Sequence, residues 1–414
     1  LWYQEGKNEQ FTAEDRNTAA DRTRLNTFEN RVLGTSAELR SDFATGSVQH
    51  RLVYGGDVSI TRQQGLRSGT VPTPPDVFPT RAFPVTDYTL AGGYLADELA
   101  FADGRVTLYP VIRFDYYKLD PKDDPLLATF KSAGQDGSRL SPKIGGVVKL
   151  VEGASLFANY ARGFEAPSPS QVNQFFENLA QGYTSIPNPN LRPETSETWE
   201  GGVRFAKGPV NAGITGFTGR YKNFISQQVV SGGFTPTNPA VFQFINLNRV
   251  RIEGIEGKLD LRARGGFSGR MAISYATGTV IDGNGVHSPL STIDPLKLVF
   301  GVGYDDPGGR FGGQLIATHS AQKELGRTTY VDVTGPTTIC SGSPCFRPGA
   351  FTILDATAYV RLGEPFTVRA GLFNIFDRKY AWWSDVRGLA ASSPVTDAYT
   401  QPGRNVSVSL SARF

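Results

Sequence analysis

Histidine, methionine and cysteine are nearly absent from this chain: three, one and two residues in 414. Three histidines leave little for imidazole-based catalysis or a histidine-rich metal site. No run of about 18 apolar residues occurs, which excludes an apolar helix of the kind that crosses a bilayer. The net charge of +3 and the absence of a basic stripe give no nucleic-acid footprint. The opening "LWYQEGKNEQ" has no apolar h-region, so it does not read as a secretion leader. The expectation is that a leader was removed or that the N-terminal part of a longer protein precedes Leu1. The only cysteines, Cys340 and Cys345, stand in "CSGSPC", a Ser/Gly/Pro-rich loop. Their spacing suits a small surface disulfide made in an oxidising compartment. Zinc is the other reading, but no further Cys or His lies nearby; two free thiols are the bland one.

Glycine, with 47 residues, and the aromatics, with 27 Phe and 16 Tyr, are plentiful. Much of the chain alternates with a period of two, the signature of strands with two unlike faces. "NVSVSLSARF" puts Val406, Val408, Leu410, Ala412 and Phe414 on one face and Ser407, Ser409, Ser411 and Arg413 on the other. "RVTLYPVIRFDYY" sets Val106, Leu108, Ile112, Phe114 and Tyr116 against Thr107, Arg113 and Asp115. "IEGKLDLRA" sets Ile255, Leu259 and Leu261 against Glu256, Lys258, Asp260 and Arg262. A soluble sandwich accommodates any one such strand. The connections discriminate: tight turns such as "FADGR", "VEGAS", "AKGPV" and "DDPGG" alternate with long connections at 63–85, 118–137, 164–191, 225–247, 280–292, 326–349 and 386–402. Short turns on one side, long loops on the other and apolar-out strands describe an outer-membrane barrel. The fold class expected is therefore all-β, a transmembrane antiparallel β-barrel with about 16 strands present. Its last strand descends from a long loop, which makes the C-terminus periplasmic and puts Phe414 at the inner interface. Pro110 lies inside a strand where its missing amide costs a ladder bond, and a bulge is expected there. Ser168 or Ser170 is placed to cap a short helix in the loop 164–191.

That loop opens with "YARGFEAPSPSQVNQ" and closes with "IPNPNLRPETSETWEGGVRF"; later come "FINLNRVRIEGIEGKLDL", "RAGLFNIFDRKY" and "YTQPGRNVSVSLSARF". Together these resemble the barrel of TonB-dependent outer-membrane receptors, and within them the haem and haemoglobin receptor group, whose loop is bracketed by FRAP and NPNL boxes. The resemblance covers nearly the whole chain. NPNL stands intact at Asn188–Leu191; FRAP reads Phe164-Glu165-Ala166-Pro167, with Glu165 in place of Arg.

The resemblance implies a barrel of about 22 strands, a plug with a TonB box, and a partner TonB complex engaging that plug. Neither the plug nor about six strands is legible here, so 1–414 is expected to be the C-terminal part of the barrel, with the plug and first strands missing. The implied function is active import of an iron-containing ligand, haem or haem from haemoglobin. A ferric siderophore is the alternative cargo, because the loop between the boxes has no histidine. A passive porin, which would have to pair its first and last strands, is the reading from a different class. No intrinsic cofactor, no catalysis and no nucleic-acid partner are expected; the partners are TonB, outer-membrane lipid, and haemoglobin or a haemophore. "ATHSAQ" does not make a hydrolase, because neighbouring His319 and Ser320 on a strand point to opposite faces. Candidate ligand-binding residues are Phe164, Phe175, Phe176, Tyr183, Asn188 and Asn190 of the loop, and His287 of "DGNGVHSP". Tyr183 offers a phenolate where an axial histidine is lacking, or simply an aromatic packed in the loop; His287 is the competing ligand, or a solvated loop residue. His50 and His319 read as structural.

Overall fold

The computed structural model describes residues 1–72, 77–128, 130–281, 285, 287–324 and 345–413. The strands in chain order are β1 (Trp2–Glu14), β2 (Arg22–Thr45), β3 (Val48–Gly69), β4 (Thr86–Phe101), β5 (Val106–Pro121), β6 (Gln135–Val151) and β7 (Ala154–Glu165). The helix α1 (Pro169–Val172) and two short strands, β8 (Glu177–Asn178) and β9 (Tyr183–Ser185), follow. Then come β10 (Glu194–Lys207), β11 (Val210–Ser231), β12 (Ala240–Arg262), β13 (Phe267–Ile281), the short β14 (His287–Pro289), β15 (Lys297–Asp305), β16 (Phe311–Ser320), β17 (Phe351–Leu362) and β18 (Phe366–Phe373). The helix α2 (Trp383–Val386) precedes β19 (Asn405–Ala412). All nineteen strands belong to one sheet. Setting aside β8, β9 and β14, each of two or three residues, leaves sixteen long strands.

The long strands pair antiparallel with their sequence neighbours, β7 pairing with β10 and β13 with β15 across the intervening short strands. Connections at one end are brief (46–47, 152–153, 208–209, 363–365) and those at the other are long (70–85, 122–134, 166–193, 282–296, 321–350, 374–404). The connections expected at 63–85, 118–137 and 225–247 are shorter than the sequence pattern implies, because strands run on past the alternating region, whereas those at 282–296, 321–350 and 374–404 are longer than expected. Residues 225–231 and 240–247 still pair across β11 and β12, and 63–69 pairs with β2. Above the apolar belt the β11–β12 hairpin packs against the loops, with Ile225, Ser226, Ala240 and Phe242 buried, so the side chains lose their alternation while the amides keep their ladder.

Registers assign the two faces. Ile214 lies opposite Val203 and Gly257, and Ile255 opposite Gly216 and Tyr275. Met271 lies opposite Phe300 and Leu259. Val406, Val408 and Leu410 share this outer face, each about two-thirds exposed. An apolar face this continuous would be untenable in water; hydrocarbon covers it. The opposite face is polar and self-paired. Arg113 reaches Asp57 two strands away at 3.0 Å and Asp115 at 2.7 Å. Tyr359 Oη donates to Asp305 at 3.0 Å, and Arg369 donates to Ser411 Oγ at 3.1 Å. Ser407 and Ser409 line one cleft with Ser268, Arg270, Tyr359 and Arg369, residues from four strands. Strands as far apart as β13 and β19 share a cleft only where the sheet curves around it, so this is the lumen side.

Pro110 is accommodated without a bulge. The β4–β5 ladder pairs Ala96 with Val111 and Leu99 with Leu108 and skips the two residues between on each strand, with no shift of register. Pro110 still pairs with Ile144 on β6. In an antiparallel ladder a residue's N–H and C=O face the same neighbour. The absent amide is therefore turned to β4, and the ladder opens there instead of gaining a residue. His50 is structural: it stacks on Phe43 at 4.6 Å and pairs through Nδ1 with Asp97 at 2.7 Å. His319 bonds Thr352 at 2.9 Å while Ser320 is buried on the other face. Phe414 lies outside the described residues.

Among the described residues, β1 pairs only with β2 and β19 only with β18. The sheet is open, with two unpaired edges.

In a membrane-embedded receptor, cysteine at Ser407 should react with aqueous maleimide and cysteine at Val408 should be protected. The reverse pattern would invert the assigned faces. Val408→Arg should cost about 2–4 kcal/mol near the midplane, measured by denaturant refolding into vesicles.

Candidate ligand-capture site at the loop end

The loop 166–193 is built by local caps. Ser168 Oγ accepts the Gln171 N–H at 3.3 Å while Gln171 Oε1 accepts the Ser168 N–H at 2.8 Å, a capping box that starts α1 with Pro169 in its first turn. At the other box, Asn188 Oδ1 accepts the Asn190 N–H at 3.0 Å, which sets the turn. Asn188 Nδ2 donates to Phe244 O at 2.8 Å, and its backbone N–H donates to Val172 O at 2.9 Å. Leu191 is buried with Val172 and Ile225 against Phe244, each such side chain contributing about 1.5–3 kcal/mol. Asn246 closes the box: Oδ1 accepts the Arg192 N–H at 2.8 Å, and Nδ2 donates to Arg192 O at 2.8 Å and Asn223 O at 2.7 Å. The box thus ties the loop to the top of the β11–β12 hairpin. Asn188 is used in that tie, and Asn190 is left exposed.

The aromatic candidates split into two clusters. Phe175 packs on Phe130 at 5.4 Å and its N–H donates to Ala82 O at 2.6 Å, joining three loops. Asn173 Oδ1 accepts the Ala133 N–H at 2.8 Å and its Nδ2 donates to Ala133 O at 2.9 Å, and Arg81 pairs with buried Asp124 at 2.7 Å in the same seam. Phe176 meets Tyr183 at 5.9 Å and Phe242 at 5.6 Å, and Phe234 meets Phe242 at 5.9 Å. Tyr183 enters this cluster because β9 adds in parallel to the free upper edge of β12, Tyr183–Ser185 against Ala240–Phe242. Its Oη accepts from Asn178 Nδ2 at 3.3 Å. Phe164 stands apart, at the top of β7, 5.8 Å from buried Tyr117.

A second group of loops carries His287. It is exposed and pairs with Ile281 at the start of β14. Leu290 seals the base of this loop against Val250 and Val280, with Tyr221, Phe224 and Ile293 packed around them. Trp383 Nε1 donates to Ser291 O at 2.7 Å, fastening the loop 374–404 to it. Lys297 lies 4.6 Å over the Trp382 ring, and Phe351, Tyr380 and Trp382 form a further cluster. Lys323 Nζ donates to Ile293 O at 2.6 Å, and burial holds this ammonium below the ordinary lysine value of 10.5. Cys345 is disulfide-bonded and bridges Ala390 through its backbone; Cys340, the other member of the expected pair, lies outside the described residues. Among the described residues no group of three His, Cys, Asp or Glu is placed to hold a metal.

Sequence reasoning missed Asn246, Phe242 and Phe244 as partners of the loop, because parallel addition of a three-residue strand leaves no periodic signal. Trp383 could have been suspected from the paired tryptophans of "YAWW".

An apolar-belted antiparallel sheet with a polar, curved inner face and long loops gathered at one end defines an outer-membrane transport barrel. The sequence profile described as "TonB dependent receptor-like, beta-barrel" matches residues 1–375, and the chain belongs to this family of receptors. It is 26% identical over 349 residues to the hemoglobin-haptoglobin utilization protein B of Neisseria meningitidis serogroup A, covering 75% of this chain and 42% of that protein. It is 30% identical over 285 residues to the hemoglobin-binding protein A of Haemophilus influenzae, covering 62% of this chain and 27% of that protein. The chain thus spans less than half the length of these curated relatives. Among solved structures, the copper transporter OprC superposes with a TM-score of 0.71 at 17% identity, over 94% of this chain and 57% of that one. The hemophore receptor HasR of Serratia marcescens, in complex with its hemophore HasA and heme, gives 0.69 at 15%, over 100% and 65%. These likenesses establish the fold.

Asn246→Ala should remove the hydrogen bonds that tie exposed Arg192 and half-buried Asn223 to β12, at a cost of about 0.5–1.5 kcal/mol. Limited proteolysis within 166–193 should accelerate in that variant and stay unchanged in Asn190→Ala. The docking around Lys323 should tighten as pH rises. The unfolded chain holds this proton more strongly than the folded loop does, so stability is gained from the depressed folded pKa up toward 10.5. The Trp383-dependent fluorescence should follow that rise and become flat in Lys323→Met; a flat response in the parent would refute it.

Proposed function

We propose that this chain forms the C-terminal part of the barrel of a TonB-dependent receptor that imports an iron-containing ligand, haem or haem taken from haemoglobin. The observation that carries the reading is the agreement of the relatives. Proteins from Neisseria meningitidis and from two Haemophilus species, matched over 62% to 84% of this chain, are all named for haemoglobin or haemoglobin–haptoglobin. The loop between Phe164 and Leu191 supports it from the site: it is stitched down by its own box residues and holds Phe175, Phe176 and Tyr183 in fixed places. Rigid aromatic faces suit a flat porphyrin and lose little conformational entropy on binding.

In this reading the barrel performs no bond chemistry. The outer loops capture cargo, and a plug seated on the polar lumen wall moves when TonB, energised from the inner membrane, pulls it. The C-terminus of β19 lies on the periplasmic side. The two open edges fit a sheet whose remaining strands lie in the part of the receptor that precedes this chain; an unpaired edge in lipid costs several kcal/mol for each peptide group. The same edges count against a sixteen-strand porin. A ferric siderophore is the second cargo reading, favoured by the absence of histidine between the boxes.

In the complete receptor, Tyr183→Phe should weaken haem binding more than His287→Ala, read by absorbance titration and by growth on haem as sole iron source. For its oxygen to ligate iron, Tyr183 must release Asn178. Unchanged haem use in both variants would remove these two residues as ligands, and capture of a ferric siderophore without haem would replace the cargo.

A further inference from the structure

Immediately above the apolar belt, the outer face of β10–β12 carries cations stacked on cations. In register, Arg220 lies directly opposite Arg251, and Lys222 directly opposite Arg249. All four are exposed. They share a face with Ile214 and Ile255, so they point away from the lumen at the height where belt gives way to headgroups. Like charges directly opposite on adjacent strands destabilise a sheet, and little local charge relieves them. Glu253 pairs with Arg251 at 2.7 Å. Glu197, the cross-strand neighbour of Arg220, is engaged by Tyr160 Oη at 3.0 Å and approached by Arg162 at 4.0 Å. No ion pair reaches Arg220, Lys222 or Arg249 among the described residues. Beside them a cavity of about 230 Å³ is lined by Arg162, Glu197, Arg220 and Lys222 of this face and by Arg139, Gly163 and Ser196, which register places on the other. Trp199 and Tyr160, packed with ring centroids 4.4 Å apart and planes tilted by 42°, lie just beneath, where aromatic rings mark the headgroup boundary.

The opposite flank shows what the ordinary solution looks like. On the same outer face of β1–β4, Arg31 pairs with Glu5 at 3.2 Å and Glu29 at 3.7 Å, Lys7 with Glu9 at 2.7 Å, and Arg62 with Asp87 at 3.2 Å. There Arg31 and Arg62 are likewise directly opposite, but each has an acidic partner. On β10–β12, among the described residues, Arg251 alone of the four has one.

We infer that this grid is a binding site for a phosphate-bearing lipid headgroup of the outer leaflet, held by Arg220, Lys222, Arg249 and Arg162, with the acyl chains lying down the apolar strip below Trp199. The inference rests on the membrane placement of the barrel and is independent of the cargo. A lipid is favoured over a soluble polyanion because the cations sit at the rim of the belt and face outward, so one molecule satisfies both surfaces. Each basic residue at a membrane surface contributes about a fivefold preference for anionic lipid.

The test is native mass spectrometry of the complete receptor extracted in mild detergent, counting retained phosphorylated lipid. Arg220→Gln combined with Arg249→Gln should reduce retention by at least about tenfold, while Arg31→Gln combined with Arg62→Gln leaves it unchanged. Heat-dependent electrophoretic mobility verifies that both variants are folded barrels. If the first pair does not fold, Lys222→Gln alone should still lower retention. Equal retention in all variants, or equal loss in the control pair, overturns the site. Complete displacement of the lipid by inorganic phosphate alone would make it a phosphate site and overturn the lipid assignment.

Discussion

Hydrocarbon offers no partner to a peptide group, and the rest of this structure follows from that constraint. Every amide in the belt must bond to a neighbouring strand, so the chain is driven into one continuous antiparallel ladder. Once the ladder is fixed, side chains alternate between lipid and lumen, which is why Val406, Val408 and Leu410 share a face with Ile214 and Phe300 while Ser407 and Ser409 join Arg270 and Arg369. Pro110 shows how narrow the tolerance is. A residue with no amide is admitted at one point, and the ladder opens over two residues on the β4 side while the β6 side stays paired. The same constraint makes the edges at β1 and β19 the least stable feature of the sheet.

Beyond the belt water relaxes that constraint, and the molecule changes its means of support. The strands continue, but what holds the loops is side chains bonding to backbone: Asn188 to Phe244, Asn246 to Arg192 and Asn223, Asn173 to Ala133, Trp383 to Ser291. Several of these tie residues more than fifty positions apart in sequence. They make ordered surfaces from segments that have little regular secondary structure, which a capture site requires and a simple pore does not.

The difference in support explains what could be read in advance. The belt was legible because a two-residue period survives in any window: Ile255, Leu259 and Leu261, or Phe300 and Val302, declare their face without knowledge of a neighbour. The Ser168 cap was legible because its partner Gln171 is three residues away. The upper hairpins were not, since 225–231 and 240–247 are polar and apolar on both faces and resemble loop. Nor was the role of Asn188. Its residue type suggested contact with a ligand, but its amide is turned to Phe244, a residue from another part of the sequence. The cation grid was visible as four letters, R and K, and became a site only when the register set Arg220 against Arg251.

The β11–β12 hairpin links the two loop groups. Ile225 and Phe244 seat the loop between the boxes, while Tyr221, Phe224 and Val250 seat the loop that carries His287. The seats are neighbours on the same strands, a few residues apart, and the cation grid occupies the outer face of the same stretch at Arg220, Lys222, Arg249 and Arg251. A packed interior transmits displacement because it has no slack. Displacement of either loop therefore loads one hairpin, the one whose outer face carries the cation grid. The rigidity of this pair of strands sets how far the Tyr183 and His287 loops can move independently.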